Sequence, residues 1–162
     1  MWTNFHEWES TFGGPAWTRL TSAIGKPEQW YLHSFDSTHQ PDFNWDCADV
    51  SKMFDTVLRT WLDRGIDGFR IDVAYGMIKQ VELPDVIDPT GENPYMWSQP
   101  RVHNILRQRR AIADSYEREL TLVGAVWLPS LVAADYIKPG ELKQVFYFDL
   151  LQQPFEAPAF RT

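Results

Sequence analysis

The stretch 64–76, RGIDGFRIDVAYG, constrains the fold of this chain more than any other part of the sequence. It holds a short alternation in which the apolar positions are Phe69, Ile71 and Val73. Apolar residues that recur with period two are typical of a β-strand, which we expect over residues 68–73. Arg70 and Asp72 then lie on the other face of that strand, about 7 Å apart along it.

Opposite charges at Arg70 and Asp72 share one side of an otherwise apolar strand. Since the second face of such a strand must also be covered, we expect the pair to be buried or to lie in a cleft. A guanidinium beside a carboxylate stabilises its ionised form, which suits a nucleophile and does not suit a general acid. A structural ion pair at a strand end is an equally good interpretation of this stretch alone.

The overall composition excludes two classes of partner. A formal net charge of −7 disfavours nucleic acid, because phosphates attract the opposite charge. No apolar run approaches the roughly 20 residues of a membrane span, so we expect no membrane partner.

Residues 2–10 mix aromatic and charged side chains, unlike a signal peptide, and we expect a cytoplasmic protein. Cys47 is the single cysteine and excludes an intrachain disulfide.

Tryptophan is unusually frequent near the amino end of the chain. Five of the eight tryptophans fall within the first 45 residues, namely Trp2, Trp8, Trp17, Trp30 and Trp45. Their flat rings suit stacking on sugars as well as packing, although core packing is the better interpretation for any single one. The same region has turn signals at 12–15, 25–27 and 40–42 and one short strand at 30–35, so we predict a long irregular loop region.

Beyond residue 45 helices alternate with strands. Apolar residues at steps of three and four predict a helix of about four turns that ends at Arg64. Further helices are predicted at 100–119 and 130–136, and strands at 120–127 and 144–150. This alternation indicates parallel β/α units.

Three strands cannot close a (β/α)8 barrel, which needs roughly 200 residues or more. The predicted fold class is therefore α/β, a partial (β/α)8 TIM barrel with open edges.

Four motifs, in order, resemble the α-amylase-type glycoside hydrolases (family 13), on their α-glucosidase and oligo-1,6-glucosidase branch. They are Trp2 with STFGGPAW at 10–17, QPDFNW at 40–45, DGFRIDV at 67–73 and VGAVW at 123–127. The resemblance implies that residues 1–45 form the C-terminal part of a loop domain inserted after the third barrel strand. Residues 46–162 would then be the central β/α units of the catalytic barrel, about strands four to six.

The resemblance also implies roles for four residues. Asp72 takes the position of the nucleophile, which forms a covalent glycosyl-enzyme with retention of configuration. Arg70 takes the position of the arginine that orients this carboxylate in the substrate site. Tyr75 stands in the substrate site where related α-glucosidases often have histidine. Ala125 stands where the family places the glutamate that protonates the leaving oxygen and later activates water, and a methyl group can do neither.

A retaining α-glucosidase that acts on α-linked glucose oligosaccharides, without a cofactor, is the function that the resemblance implies. No metal is expected. In some amylases the residue at the position of Asp42 neighbours a calcium site, but this branch generally lacks that site. General acid–base catalysis contributes roughly 10²- to 10⁴-fold. We therefore expect the isolated chain, with Ala125, to have little or no activity.

Two alternatives stay open. The chain could be a non-catalytic, barrel-derived module that binds sugar or a protein. It could also be a segment with no function of its own, whose partner is the remainder of the barrel.

Overall fold

The computed structural model describes residues 8–20, 29–36, 38–86 and 93–161. Near its amino end, strand β1 (Trp17–Leu20) pairs antiparallel with strand β2 (Gln29–Leu32), with Trp17 opposite Leu32. The strand expected at 30–35 therefore begins one residue earlier and ends sooner, and β1 was not predicted because four residues give too short a pattern. Trp2 and the turn predicted at 25–27 lie outside the described residues.

Helix α1 (Ala48–Asp63) follows the expected amphipathic pattern. Its inward face buries Leu58 and Leu62, one turn apart, and Asp49 lies in the first turn, where the helix dipole favours a negative charge. Gly65 ends the helix with φ +98°, a left-handed conformation that glycine adopts without steric cost. Its N–H donates to the Leu62 carbonyl at 2.9 Å, so the chain turns at once toward the next strand.

A parallel three-stranded sheet forms the centre of the molecule. Its strands are β3 (Gly68–Ile71), β4 (Thr121–Gly124) and β5 (Gln144–Val145), in the order β3-β4-β5. Helix α2 (Val102–Asp114) connects β3 to β4, and α3 (Ser130–Ala133) with the 3₁₀ turn Ala134–Ile137 connects β4 to β5. These connections give the parallel β/α units that the sequence pattern predicts.

Several predicted elements were longer than the observed ones. The strands expected at 68–73 and 120–127 stop at Ile71 and Gly124. The strand expected at 144–150 stops at Val145, and α4 (Phe148–Leu151) follows it. Gln144 and Val145 pair with β4, and the Phe146 N–H still donates to the Gly124 carbonyl at 3.0 Å, after which the chain leaves the sheet. The helix expected at 100–119 ends at Asp114, where the Ser115 hydroxyl donates to the Ile112 carbonyl at 2.6 Å. A final 3₁₀ turn spans Ala157–Arg161.

The core lies between the sheet and helices α1 and α2. Leu62, Leu106, Leu122 and Val126 are buried in it together. A second cluster contains Trp8, Ala16, Leu32 and Met96 and attaches the hairpin to the loop before α2. In this cluster the Trp8 indole N–H donates to the Pro84 carbonyl at 3.0 Å. The hairpin is thus anchored to the β/α units by packing of its own side chains.

Strand edges of the sheet and apolar residues of α1 remain open to solvent. Within the described residues β3 and β5 are edge strands, and Met53, Val57 and Trp61, which follow one another at steps of four on α1, are each at least 40% exposed. Unpaired strand edges beside exposed apolar residues are prone to association. None of the helices within the described ranges has the length and apolar character needed to cross a bilayer.

We expect the purified chain to bind the dye ANS and to self-associate, because this surface is exposed. Replacing both Val57 and Trp61 with lysine should reduce dye binding and association, measured by fluorescence and by light scattering. Leu58→Ala is the matched comparison, because Leu58 neighbours Val57 on the same helix but is buried. It should lower the free energy of unfolding by about 2–5 kcal/mol. A monodisperse chain that binds no dye would contradict this expectation.

Candidate active site

Asp72 is the first residue after β3, at the carboxyl end of that strand. The Arg70 Nη2 atom donates to Asp72 Oδ1 at 2.7 Å, so the two side chains meet on one side, as the alternation predicts. Of the two expected positions, burial is excluded, since the side chains of Arg70 and Asp72 are 52% and 64% exposed, whereas a position in a cleft is confirmed because both border a cavity. They remain open to solvent because β3 is an edge strand within the described residues.

Two further groups surround this pair. The Val73 backbone N–H also donates to Asp72 Oδ1, at 3.2 Å. The Phe146 ring, just beyond β5, lies under the Arg70 guanidinium with its centroid 5.3 Å from Cζ. A guanidinium over a ring face is attracted by the ring quadrupole. Phe146 was not among the predicted site residues, because the sequence predicts a strand over 144–150 that contains it, whereas β5 ends at Val145.

Ala125 lies at the carboxyl end of β4, beside Asp72. Its N–H donates to the Ile71 carbonyl at 2.9 Å, and its carbonyl accepts from the Ala74 N–H at 3.0 Å. The register that pairs Ile71 with Gly124 therefore continues by one residue past both strands. Neighbouring strands lie about 4.8 Å apart, so positions 72 and 125 are adjacent. The Ala125 side chain is itself buried, with 5% exposure.

Tyr75 is not brought to this group of residues. Its side chain is 8% exposed and packs in the main core, with its ring centroid 5.2 Å from that of Trp97. The Tyr75 carbonyl accepts from the Ser98 N–H at 2.8 Å. The turn after Asp72 directs this side chain inward, which alternation along a strand could not indicate.

A cavity of about 500 Å³ lies between α1, the end of β3 and the segment 40–45. Arg70 and Asp72 border it, and much of its remaining lining is aromatic or aliphatic, including Phe43, Trp45 and Trp97. Ligand sites are commonly concave, largely apolar and supplied with a few polar groups. Among the described residues, no three histidine, cysteine or acidic side chains come together as metal ligands.

One side of this cavity is held by a buried ion pair that the sequence did not predict. Lys79 Nζ lies 3.0 Å from Asp42 Oδ1, with the lysine side chain only 9% exposed. Asp42 Oδ2 accepts from both the N–H and the hydroxyl of Ser34, at 2.6 and 2.7 Å. The same ammonium group lies 4.9 Å from the centroid of the Trp97 ring. Ser34 and Asp42 are thereby attached to Lys79, which lies shortly after the turn that follows Asp72.

Burial lowers the pKa of the Lys79 ammonium group from its ordinary value. The Asp42 carboxylate acts in the opposite direction through its charge and its hydrogen bond, but by less. The pairing partners are 37 residues apart in the sequence, so no local pattern could have revealed them. A lysine shortly after a strand and an aspartate in an irregular loop are both common surface residues.

Comparison with known proteins gives a consistent result. Residues 3–159 match the family described as alpha amylase, catalytic domain. The chain belongs to the α-amylase family. The probable oligo-1,6-glucosidase 3 of Bacillus subtilis is 33% identical over 153 residues, which is 90% of this chain and 27% of that protein. The oligo-1,6-glucosidase of Parageobacillus thermoglucosidasius is 34% identical over 155 residues, covering 89% and 26% of the two chains.

The fold of this member of the α-amylase family also resembles that of a solved relative. The crystal structure of trehalose-6-phosphate hydrolase from Bacillus licheniformis matches with a TM-score of 0.76 and 32% identity. The match covers 93% of this chain and 26% of that enzyme. The chain therefore spans about a quarter of the length of the relatives it matches.

The lowered pKa of Lys79 predicts how its contribution to stability depends on pH. At pH values between the lowered pKa of Lys79 and the pKa of lysine in the unfolded chain, the unfolded chain binds more protons than the folded one. The free energy of unfolding therefore rises with pH over this range. The stability of the wild type relative to Lys79→Met should therefore increase with pH, by at most about 1.4 kcal/mol per pH unit. Urea unfolding of both proteins between about pH 7 and pH 10 measures this difference.

Lys52→Met is the control for loss of a positive charge, since the Lys52 side chain is 76% exposed. Its stability relative to the wild type should show a much weaker trend over the same range. A difference between wild type and Lys79→Met that stays constant or falls with increasing pH would contradict burial as the dominant influence on Lys79.

Proposed function

We propose that this chain supplies the donor side of a retaining α-glucosidase-type active site, from about strands four to six of a catalytic (β/α)8 barrel. Asp72 is the nucleophile, Arg70 orients it, and the substrates are α-linked glucose oligosaccharides. The contact between Arg70 and Asp72 at the carboxyl end of a parallel strand carries this proposal. Catalytic residues of barrel enzymes lie at that face.

The proposal includes a retaining mechanism, in which a second carboxyl group would stand at position 125. Retaining glycosidases hold their two carboxyl groups about 5–5.5 Å apart, whereas inverting enzymes leave room for a water molecule between them. The register places positions 72 and 125 on adjacent strands, about 4.8 Å apart. That spacing refers to the backbones and not to carboxyl groups, and it is compatible with a glutamate at position 125 close to Asp72.

Alanine at this position divides the reaction into a step that can proceed and one that cannot. Asp72 can attack the anomeric carbon when the leaving group needs no proton. Hydrolysis of the resulting ester needs a base to activate water, and a methyl group supplies none. The chain therefore has little or no activity on natural oligosaccharides but retains the residues for forming a glycosyl-enzyme.

The remaining barrel segments are the proposed partner of the open surfaces. The edge of β3 and the exposed apolar residues of α1 are of the kind that a neighbouring strand and helix cover in a barrel. The relatives, of which this chain matches about a quarter, have the additional length for such segments.

A second function, binding of sugar without catalysis, is favoured by one observation. Ala125 removes the general acid while the cavity beside Asp72 keeps its aromatic lining. Titration calorimetry with isomaltose and maltose tests this function. Saturable heat without any covalent product would support it over the enzymatic one.

Incubation with α-glucosyl fluoride tests the nucleophile directly, because fluoride departs without protonation. We expect mass spectrometry of the intact chain to show one added glucosyl group, and peptide mapping to place it on Asp72. The adduct should accumulate, since the base that would hydrolyse it is missing. In the Ala125→Glu variant the adduct should be hydrolysed faster, by roughly 10²-fold or more.

Asp72→Asn is the matched control, because it keeps the side-chain shape and removes the nucleophilic charge. This variant should form no adduct. Labelling of the wild type at another residue, or equal labelling of Asp72→Asn, would remove Asp72 from the proposed role. Hydrolysis of unactivated isomaltose by the wild type would contradict the proposed consequence of Ala125.

A further inference from the structure

Val73 has a backbone conformation that its side chain disfavours. Its φ is +43°, in the left-handed region, and it is the only β-branched residue among the described non-glycine residues with positive φ. Such a conformation in a β-branched residue is rare and indicates strain that its surroundings must hold. The strained residue directly follows Asp72 in the chain.

The hydrogen bonds around Val73 show that β3 ends in a turn with one extra residue opposite Ala125, which we call the bulge. In a regular parallel ladder that continues the pairing of Ile71 with Gly124, the Ala125 carbonyl would accept from the Val73 N–H. It accepts instead from the Ala74 N–H at 3.0 Å, one residue later. The Val73 N–H is thereby released from the ladder and donates to Asp72 Oδ1 at 3.2 Å.

Contacts on both sides hold this bulge in place. The Val73 carbonyl accepts from the Gly76 N–H at 2.8 Å, and the side chain packs against the main core. A side chain at position 76 would meet both neighbours of this turn, since its Cβ would lie 2.9 Å from Val73 Cγ1 and 2.5 Å from Trp97 Cζ3. The strain at Val73 is therefore maintained by a closely packed turn.

The bulge leaves the two oxygens of Asp72 in different surroundings. Oδ1 accepts from the Arg70 guanidinium and from the Val73 N–H. Oδ2 accepts no hydrogen bond from the described part of the chain. Two donors on one oxygen fix the plane of the carboxylate, because rotation about its Cβ–Cγ bond would break both contacts.

We infer that Val73 is a positioning residue, whose bulge directs its N–H to Asp72 Oδ1 so that Oδ2 is the oxygen that attacks. This inference rests on the proposed function. In the step, an Oδ2 electron pair forms the bond to the anomeric carbon, and the carbon–fluorine bond breaks with its electron pair leaving on fluoride. Oδ1 becomes the carbonyl oxygen of the ester and still accepts both hydrogen bonds.

Amide hydrogen exchange tests the hydrogen bond without any catalysis. The Val73 amide should exchange about tenfold faster in Asp72→Ala than in Asp72→Asn, because asparagine retains an oxygen that can accept. The Ala74 amide, which is bonded to the Ala125 carbonyl, is the internal reference and should exchange alike in both variants. Equal exchange of Val73 in the two variants would overturn the inference.

Two substitutions at position 73 then test positioning. Both Val73→Gly and Val73→Asn remove the packed side chain. Asparagine favours the left-handed region among residues with a side chain, whereas glycine lets the backbone leave it. The rate of labelling of Asp72 by α-glucosyl fluoride should fall on the order of tenfold in Val73→Gly and by less than about twofold in Val73→Asn.

The outcomes separate the inference from the proposed function. Equal loss of rate in Val73→Gly and Val73→Asn would mean that side-chain packing matters and the bulge does not, which overturns the inference. The Val73 amide could exchange slowly while α-glucosyl fluoride fails to label Asp72 in the wild type. That result would overturn the proposed function and leave the hydrogen bond established. Circular dichroism confirms that each variant is folded before its rate is compared.

Discussion

The pairing of β3 with β4 is the constraint on which the candidate site depends. It begins at Gly68, where a Cβ would lie 1.9 Å from the Thr121 carbonyl oxygen, so only glycine allows this approach. It continues to the bond between the Ala125 N–H and the Ile71 carbonyl. Because backbone bonds set this register, the neighbourhood of positions 72 and 125 does not depend on which side chain occupies position 125.

Hydrogen-bond geometry, and not burial, organises the charged groups here. Arg70 and Asp72 are both more than half exposed, so solvent weakens the attraction between their charges. Their arrangement relies on direct contact, on the Phe146 ring beneath the guanidinium and on the Val73 N–H. Lys79 and Asp42 differ, since their pair is largely buried and connects the loop region to the turn behind the site.

Local patterns predicted the parts of this structure that local forces decide. The helix α1 and the contact of Arg70 with Asp72 follow from periods of 3.6 and two residues, which hold within a single element. The inward direction of Tyr75 depends on a turn and on packing against Trp97. The pair of Lys79 with Asp42 depends on how distant segments meet. The end of β5 depends on where β4 stops offering partners.

Alanine at position 125 also changes the electrostatics of its neighbour. Two carboxylates on adjacent strands repel each other, and a glutamate there would place a second acidic group beside Asp72. With Ala125 this repulsion is absent, and the Arg70 guanidinium lies against a single acidic group. Under the proposed function, the groups that form a glycosyl ester are thus kept, while position 125 lacks the group needed to cleave it. In that proposal the combination would trap a reacted sugar and not release it.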